Sequence, residues 1–156
     1  MFDSEGNIRN SIKAIIIKNN KILLTYNEYN GEKFYLLPGG GQRHNETIID
    51  ALKRECLEEI GSSVEIIKLQ FIREYIGKNH QFADEDGNVH QVELMFECRL
   101  INDKLTLTEN KDDFQIGFQW IELNDFKNII IYPNELKKVI DVDGRFSSKI
   151  YLGDVN

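Results

Sequence analysis

The chain has 156 residues, of which 41% are apolar, 29% charged and 10% aromatic, enough apolar material for a core and a length typical of one domain. This composition excludes a wholly disordered chain. The net charge of −7 argues against a general nucleic-acid binder, because binding of a phosphate backbone requires a basic surface. No apolar run exceeds four residues, whereas a membrane span requires roughly 20.

The two cysteines, Cys56 and Cys98, lie far apart inside apolar segments. This spacing indicates neither a disulfide framework nor a zinc site. A reducing compartment suits such a chain, so we expect a cytoplasmic protein. We also expect one domain that covers residues 1–156.

The first predicted unit is a β-hairpin. The apolar, β-branched runs 12–17 and 22–26 have the character of strands. Between them, Asn19 and Asn20 suit a two-residue primed turn, because asparagine tolerates a positive φ. A short third strand, 34–37, ends at a proline that opens a run of three glycines.

Residues 45–60 have the pattern of a helix. Asn45 is the expected N-cap, Glu46 favours the positive end of the helix dipole, and Gly61 suits the residue after the C-terminus. On a helical wheel of about 100° per residue, Glu55, Glu58 and Glu59 fall in one patch beside the apolar stripe.

The rest of the chain predicts strands and one further helix. A polar loop, expected to be flexible and to act as a substrate lid, separates two of the strands, and the residues after Asp141 are expected to be weakly structured. Together these elements predict an α/β fold with a mixed β-sheet. The expected strands are 64–69, 71–76, 89–100 and 118–122, the loop is 77–88, and the last helix is 133–140.

Three carboxylates in one patch repel each other, and the C-terminal end of a helix disfavours negative charge. A bound cation would bring them together, and oxygen ligands suit Mg²⁺ or Mn²⁺. The alternative is a solvated acidic face whose charge is balanced by Lys53 and Arg54.

The residues around this patch follow a specific spacing. Gly40 is followed after five residues by Glu46, and after seven more by the run Arg54-Glu55-Cys56-Leu57-Glu58-Glu59-Ile60-Gly61. This pattern resembles the Nudix box, G-x5-E-x7-R-E-U-x-E-E-x-G-U, where U is a bulky apolar residue. Two softer positions differ: Cys56 occupies the first U and Ser62 the last.

The resemblance implies a Nudix-type α/β/α sandwich and a hydrolase that cleaves a pyrophosphate linkage with Mg²⁺, or alternatively Mn²⁺. By position, Glu55, Glu58 and Glu59 would be the metal ligands, and one of them would be the base for the attacking water. Arg54 completes the catalytic set by orienting the carboxylates, as does Glu46. Gly39 and Gly40 would let the substrate approach the backbone.

Further candidates lie near the box or outside it. Nudix enzymes often take one more acid from a loop before the tryptophan-bearing strand, and Asp113 is the preferred choice over Glu109 and Asp112. Asn134 resembles the base-reading position of relatives that remove oxidised purine nucleotides, and Arg43 could contact a phosphate. Glu93 and Glu97 share one side of their strand, and one of them could face the cleft, but a polar face of the sheet is the simpler explanation.

The expected partner is a small nucleotide, with no nucleic-acid polymer and no membrane involved. The substrate expected first is a nucleoside triphosphate, including an oxidised purine one, followed by ADP-ribose or another nucleotide sugar. The alternatives are a Nudix-like sensor that binds nucleotide without turnover, and a purely structural acidic domain. The protein is expected to be a monomer or a homodimer.

Overall fold

The structure is a computed structural model that describes residues 6–109 and 111–156. Within this range the chain forms eight strands, three helices and two single 3-10 turns at 77–79 and 126–128. The strands are β1 (Arg9–Lys18), β2 (Lys21–Tyr29), β3 (Glu32–Leu36), β4 (Gly39–Gly41), β5 (Val64–Ile76), β6 (His90–Leu100), β7 (Gln115–Glu122) and β8 (Tyr151–Asp154). The helices are α1 (Ile48–Ile60), α2 (Ala83–Asp86) and α3 (Leu136–Val139).

The strands form one mixed sheet in the order β3-β2-β1-β6-β5-β8, in which β4 also pairs with β1 and β7 with β2. The pairs β1–β6 and β5–β8 are parallel, and the other ladders are antiparallel. This arrangement confirms the predicted mixed sheet.

Alternate residues of β1 point to opposite faces of the sheet, as the pleat of a strand requires. Ile12, Ala14 and Ile16 pack with the apolar stripe of α1. On the other face, Ile15 belongs to a second apolar cluster, which includes Leu136 and Val139 of α3. The sheet therefore lies between helical layers, and the fold is the α/β/α sandwich.

The first hairpin and the end of α1 form as predicted. Asn19 and Asn20 both have positive φ, 50° and 62°, as a primed two-residue turn requires. Gly61 has φ 66° and donates its N–H to the carbonyl of Leu57, which ends the helix.

The predicted start of α1 was wrong. The helix begins at Ile48, and its N-cap is Thr47, whose hydroxyl accepts from the backbone N–H of Asp50 at 3.1 Å. Asn45 has φ 64° and belongs to the preceding turn. Glu46 thus lies before the helix, where its carboxylate accepts from the N–H of Arg43 at 2.9 Å.

Several other boundaries differ from the prediction. The two strands expected at 64–69 and 71–76 are the single strand β5, which continues through two irregularities in its pairing with β6. The expected open loop 77–88 contains a 3-10 turn and α2. The helix expected at 133–140 is reduced to one turn, because bridges at Ile131 and Ile140 hold the chain extended on both sides.

The C-terminal segment is ordered, which contradicts the expectation for residues after Asp141. Ile140 bridges Phe146, and β8 adds a parallel edge strand to β5. Leu152 is buried in the second apolar cluster. Both cysteines are buried and free, and in the described ranges no helix is long and apolar enough to cross a membrane.

Candidate active site

The carboxylates of α1 border its buried side, as the helical wheel predicted. Glu55 and Glu59 are buried, with exposures of 8% and 3%, and Glu58 is half-buried. Arg54 Nη1 donates to Glu55 Oε1 at 2.6 Å and lies 3.4 Å from Glu58 Oε2. A guanidinium of the same helix therefore neutralises part of the charge that brings these side chains together.

Arg54 also ties α1 to the segment before it. Its Nε and Nη2 donate to the two oxygens of Glu46, at 2.7 and 3.1 Å, in a bidentate pair. Nη2 also donates to the carbonyl of Gly41 at 2.9 Å. The hydrogen bonds from Arg54 and from the Arg43 backbone lower the pKa of Glu46 to about 2. This geometry suits the orienting role predicted for Glu46 and Arg54, which stays a prediction.

The glycine strand β4 lies directly against the carboxylates. Gly39 donates its N–H to Glu59 Oε2 at 2.8 Å, and Lys13 Nζ donates to the carbonyl of Gly39 at 2.7 Å. Burial raises the pKa of Glu59 to about 8, against the opposing effects of Lys13 and the Gly39 N–H, and the nearby charges of Asp112 and Glu55 raise it further.

The position of the Glu55 side chain leaves room only for glycine at position 40. A Cβ on Gly40 would lie 2.6 Å from the Glu55 carboxyl carbon. The space that a side chain would fill is thus occupied by one of the predicted metal ligands.

The donor set fits a hard divalent cation in its chemistry, because the candidate ligands are all carboxylate oxygens. In this structure, however, the carboxylates of the box do not point toward one common position. Within residues 6–109 and 111–156, no three His, Cys, Asp or Glu side chains are grouped so that they could hold a metal ion together. Two of the box carboxylates face Arg54, and Glu59 faces Gly39. The metal assignment stays a prediction.

A loop before β7 docks on the C-terminal end of α1. The last carbonyls of the helix accept from the Thr108 hydroxyl (Glu58 O), from Gln115 Nε2 at 2.9 Å (Glu59 O) and from the Thr106 N–H at 2.9 Å (Ile60 O). These bonds satisfy carbonyls that a helix end leaves without partners. They also bring the loop that carries Asp112 and Asp113 beside the box.

Of the two aspartates in this loop, Asp112 is the one that lines the cavity beside the glycine strand, and its charge acts on Glu59. Asp113 is not among the lining residues, and both aspartates are exposed. Asp112 is thus an alternative to Asp113 beside the cavity, and the metal-binding role of Asp113 stays a prediction. Sequence reasoning had considered both, and side-chain direction in a loop gives no periodic signal that would separate them.

A cavity of about 480 Å³ opens beside the box, on the face of the sheet opposite α1. Ser11 and Lys13 of β1 line it together with Gly39 and Gly40. The alternation of polar Ser11 and Lys13 with apolar Ile12 and Ala14 was a signal for this face that the sequence analysis did not use.

One wall of the cavity is a buried polar network centred on Glu93. Its carboxylate accepts from Arg73 Nε at 2.9 Å, from Gln91 Nε2 at 3.0 Å and from the Ser11 hydroxyl at 3.2 Å. Burial opposes ionisation, but Arg73, Lys13 and these hydrogen bonds together lower the pKa of Glu93. Glu93, which is 2% exposed, therefore lies in the cavity wall, as the alternative interpretation of its strand position allowed.

The network continues from Gln91 to Arg9, whose Nη1 donates to Gln91 Oε1 at 2.6 Å. The guanidinium of Arg9 occupies the space beside Gly41 that a Cβ would need. Arg9, Lys13 and Arg73 thus give this part of the cavity a positive character in a chain of net charge −7.

The remaining predicted residues lie outside the cavity lining. Arg43 is exposed, and its Nη2 lies 3.7 Å from Glu58 Oε1. Asn134 is exposed in the turn before α3, and the neighbouring Tyr132 lines the cavity in its place. The roles proposed for Arg43 and Asn134 stay predictions.

Comparison with known proteins agrees with this geometry. The family model of the NUDIX domain matches residues 8–141. The nucleoside triphosphatase NudI of Klebsiella pneumoniae (strain 342) is 29% identical over 97 residues, which are 60% of this chain and 65% of that protein. The match thus spans slightly less than two thirds of that relative's length.

Solved structures with the same fold have low sequence identity. The MutT NUDIX hydrolase from Burkholderia pseudomallei has a TM-score of 0.67 and 21% identity, and covers 83% of this chain and 95% of its own. A NUDIX hydrolase from Nitrosomonas europaea has a TM-score of 0.69 and 19% identity. The match covers 95% of this chain and 80% of that protein. The chain belongs to the NUDIX domain family.

Proposed function

We propose that this protein is a divalent-metal-dependent Nudix hydrolase that cleaves the pyrophosphate linkage of a nucleoside diphosphate derivative by attack of water. The main observation in support of the proposal is that the glycine strand joins the carboxylates of the Nudix box to the cavity. The glycine strand has Glu55 and Glu59 on one side, and contributes Gly39 and Gly40 to a cavity with three basic side chains on the other.

Mg²⁺ is the proposed metal, with Mn²⁺ as an alternative, and Glu55, Glu58, Glu59 and a loop aspartate would hold it. When bound, the ion would supply positive charge at the phosphate oxygens and lower the pKa of a water molecule.

The chain's own residues would bind and align the substrate. Lys13, Arg9 and Arg73 bring positive charge to the phosphate chain, and glycine at positions 39 and 40 leaves the backbone open to close approach. Phosphoryl transfer depends mainly on such positioning and on charge stabilisation. Arg54 would hold the carboxylates and the glycine strand in register during the reaction.

The candidate substrates are a nucleoside triphosphate, including an oxidised purine one, and ADP-ribose or another nucleotide sugar. The similarity to a nucleoside triphosphatase favours the first class. We also propose a cytoplasmic location, a monomer or homodimer, and a single domain over residues 1–156.

The alternative function is a sensor that binds nucleotide without turnover. The pairing of Arg54 with Glu55 and Glu58 favours it, since a guanidinium there already balances two carboxylates of the box.

The deciding experiment measures hydrolysis of a nucleotide panel with Mg²⁺ and with EDTA. The panel holds normal and oxidised nucleoside triphosphates, ADP-ribose, nucleotide sugars and dinucleoside polyphosphates. We expect a metal-dependent monophosphate product from one class. Binding without turnover across the panel would support the sensor, and neither binding nor turnover would support a structural domain.

Glu58→Gln tests the role of the box in the same assay. Loss of a metal ligand should lower kcat/KM about a hundredfold or more, since even groups that only support a ligand cost 10–100-fold. Glu65→Gln is the matched control, because this glutamate is on the surface and pairs only loosely, at 3.5 Å, with the exposed Arg99. Wild-type activity in Glu58→Gln would overturn the metal assignment.

A further inference from the structure

Six aromatic side chains line the cavity, and none has a role in the chemistry proposed above. Tyr75 is engaged with Asp86, and the other five are Tyr29, Phe34, Phe82, Phe114 and Tyr132. They form two contact groups. Tyr132 lies 5.6 Å from Phe34 and 5.3 Å from Phe82, between ring centroids, and Tyr29 lies 5.0 Å from Phe114. Such surfaces suit a planar heteroaromatic ring, because every nucleobase has a face that stacks on aromatic side chains.

The ionisable side chains beside these rings are carboxylates. Glu85 follows Phe82, the residue that precedes α2, by three residues, and its backbone N–H donates to the carbonyl of Phe82 at 3.1 Å. Glu32 lies opposite Tyr29 in the pairing of β2 with β3. Both glutamates line the cavity. Neither side-chain carboxylate forms a hydrogen bond or ion pair with the part of the chain that the structure describes.

Asp86 also lines the cavity but is already engaged. Its Oδ2 accepts from the Tyr75 hydroxyl at 2.7 Å. The basic side chains of the cavity, in contrast, lie at the glycine strand and the Glu93 network, where Lys13 contacts Gly39 and Arg9 contacts Gln91. A ligand in the cavity would therefore meet positive charge beside the glycine strand, and aromatic rings with carboxylates beside the two aromatic groups.

An ionised carboxylate only accepts hydrogen bonds. The Watson–Crick edge of guanine offers two adjacent donors, the ring N–H and the exocyclic amino group, which match the two carboxylate oxygens. Adenine and cytosine offer an amino group beside a ring acceptor, and uracil places its single N–H between two carbonyl oxygens. A carboxylate therefore favours guanine most and uracil least.

We propose that the two aromatic groups hold the nucleobase of the substrate and that Glu85 reads its edge, which makes the protein selective for guanine nucleotides. Glu32 contributes a second acceptor beside the other aromatic group. This inference rests on the proposed function, because it assigns a substrate class to the same cavity. It transfers base reading from Asn134, which is not among the residues that line the cavity, to residues that line it.

The test is equilibrium binding of GDP, ADP, CDP and UDP to the wild-type protein. We expect the Kd of GDP to be about tenfold or more below that of UDP, with ADP and CDP between them. IDP, which lacks the exocyclic amino group, should bind more weakly than GDP. Equal Kd values for the four diphosphates would overturn the proposal.

Glu85→Gln assigns the preference to a residue. This substitution should reduce the GDP-to-UDP preference to about threefold or less while leaving UDP binding nearly unchanged. Asp84→Asn is the matched control, because it changes one exposed carboxylate of the same helix outside the cavity lining. An equal effect of both variants, or a loss of preference in Glu32→Gln alone, would overturn the assignment to Glu85.

The binding measurement separates this inference from the proposed function. A base preference without hydrolysis of any nucleotide would support the reading of the base and overturn the hydrolase. Hydrolysis without a base preference would support the hydrolase and overturn the reading of the base. Glu85 and Glu32 are exposed, so their substitution should leave the core intact. The comparison of the four diphosphates uses only the wild-type protein and therefore does not depend on the folding of any variant.

Discussion

At the scale of single residues, two successive glycines of β4 meet different obstacles to a side chain. Gly39 has φ 133°, and a Cβ there would lie 2.1 Å from the backbone oxygen of Ile12. A Cβ on Gly40 would instead meet the end of the Glu55 side chain. The first contact is with rigid backbone and the second with a group that can move.

We therefore expect Gly39→Ala and Gly40→Ala to fail in different ways. Gly39→Ala should lower the free energy of unfolding by about 2 kcal/mol or more, because strained backbone costs about 1–3 kcal/mol by itself. Gly40→Ala should retain most of the stability but lose hydrolysis, because it displaces Glu55. Urea unfolding and kcat/KM measure the two effects.

Gly117→Ala is the control for both glycine variants. Among the described residues, apart from the two neighbours in the chain, no heavy atom lies within 4 Å of a Cβ at this position. The stability of Gly117→Ala should therefore stay within about 1 kcal/mol of wild type. If Gly40→Ala retains full activity, the close approach of Glu55 to the glycine strand has no catalytic importance.

At the scale of elements, β8 depends on one carboxylate at its end. Asp154 Oδ1 accepts from the Ile76 N–H at 2.9 Å and from His80 Nε2 at 2.6 Å, and Oδ2 accepts from Asn79 Nδ2 at 2.8 Å. Burial alone would raise the pKa of Asp154, but these hydrogen bonds outweigh it and lower the pKa from its usual 3.8.

Because the pKa is lower in the folded state, the stabilisation by Asp154 is present above about pH 4 and is lost as the pH falls through the folded-state pKa. We expect Asp154→Asn to lower the free energy of unfolding by about 1–3 kcal/mol at pH 7. The difference from wild type should shrink as the pH approaches 3. Urea unfolding at several pH values measures this.

Asp143→Asn is the matched control, an exposed carboxylate of the same C-terminal segment. Its effect should be much smaller at pH 7. A deficit of Asp154→Asn that is independent of pH would show that the charge of Asp154 does not hold β8 in place.

At the scale of the whole molecule, the carboxylates of the box and the cavity lie on opposite faces of the sheet. The face toward α1 carries the box, and the other face carries the cavity with the Glu93 network. β4 pairs with β1 and contacts both the box and the cavity, because Gly39 and Gly40 line the cavity and also contact Glu59 and Glu55. A chain of net charge −7 would then bind a polyanion through local positive charge and a bound cation.

If the box holds a metal, Mg²⁺ or Mn²⁺ should stabilise the fold by mass action. At a concentration of about 100 times Kd the gain is roughly 2.7 kcal/mol, which corresponds to a rise in Tm of several degrees for a protein of this size. Thermal unfolding at matched ionic strength measures the shift without any turnover.

Glu58→Gln should reduce this rise in Tm, and Glu65→Gln should keep it. An equal rise with NaCl of the same ionic strength would indicate general screening of the negative charge. That result would support the purely structural alternative.

The features determined by the sequence itself are those whose causes are local. The Asn19-Asn20 turn and the Gly61 helix end follow from the φ values that each residue type permits. The family follows from the spacing of fixed residues between Gly40 and Gly61, which sets which side chains share one side of α1. The carboxylate patch beside the apolar stripe could therefore be predicted.

Features whose partners lie far away in the chain were decided only by the tertiary structure. Glu93 became a buried member of the cavity wall because Arg73 and Ser11 meet it from neighbouring strands. The C-terminal segment became the strand β8 because β5 offered it an edge and buried Leu152. Such contacts depend on strand order and burial, and the residues before and after a position in the sequence do not encode them.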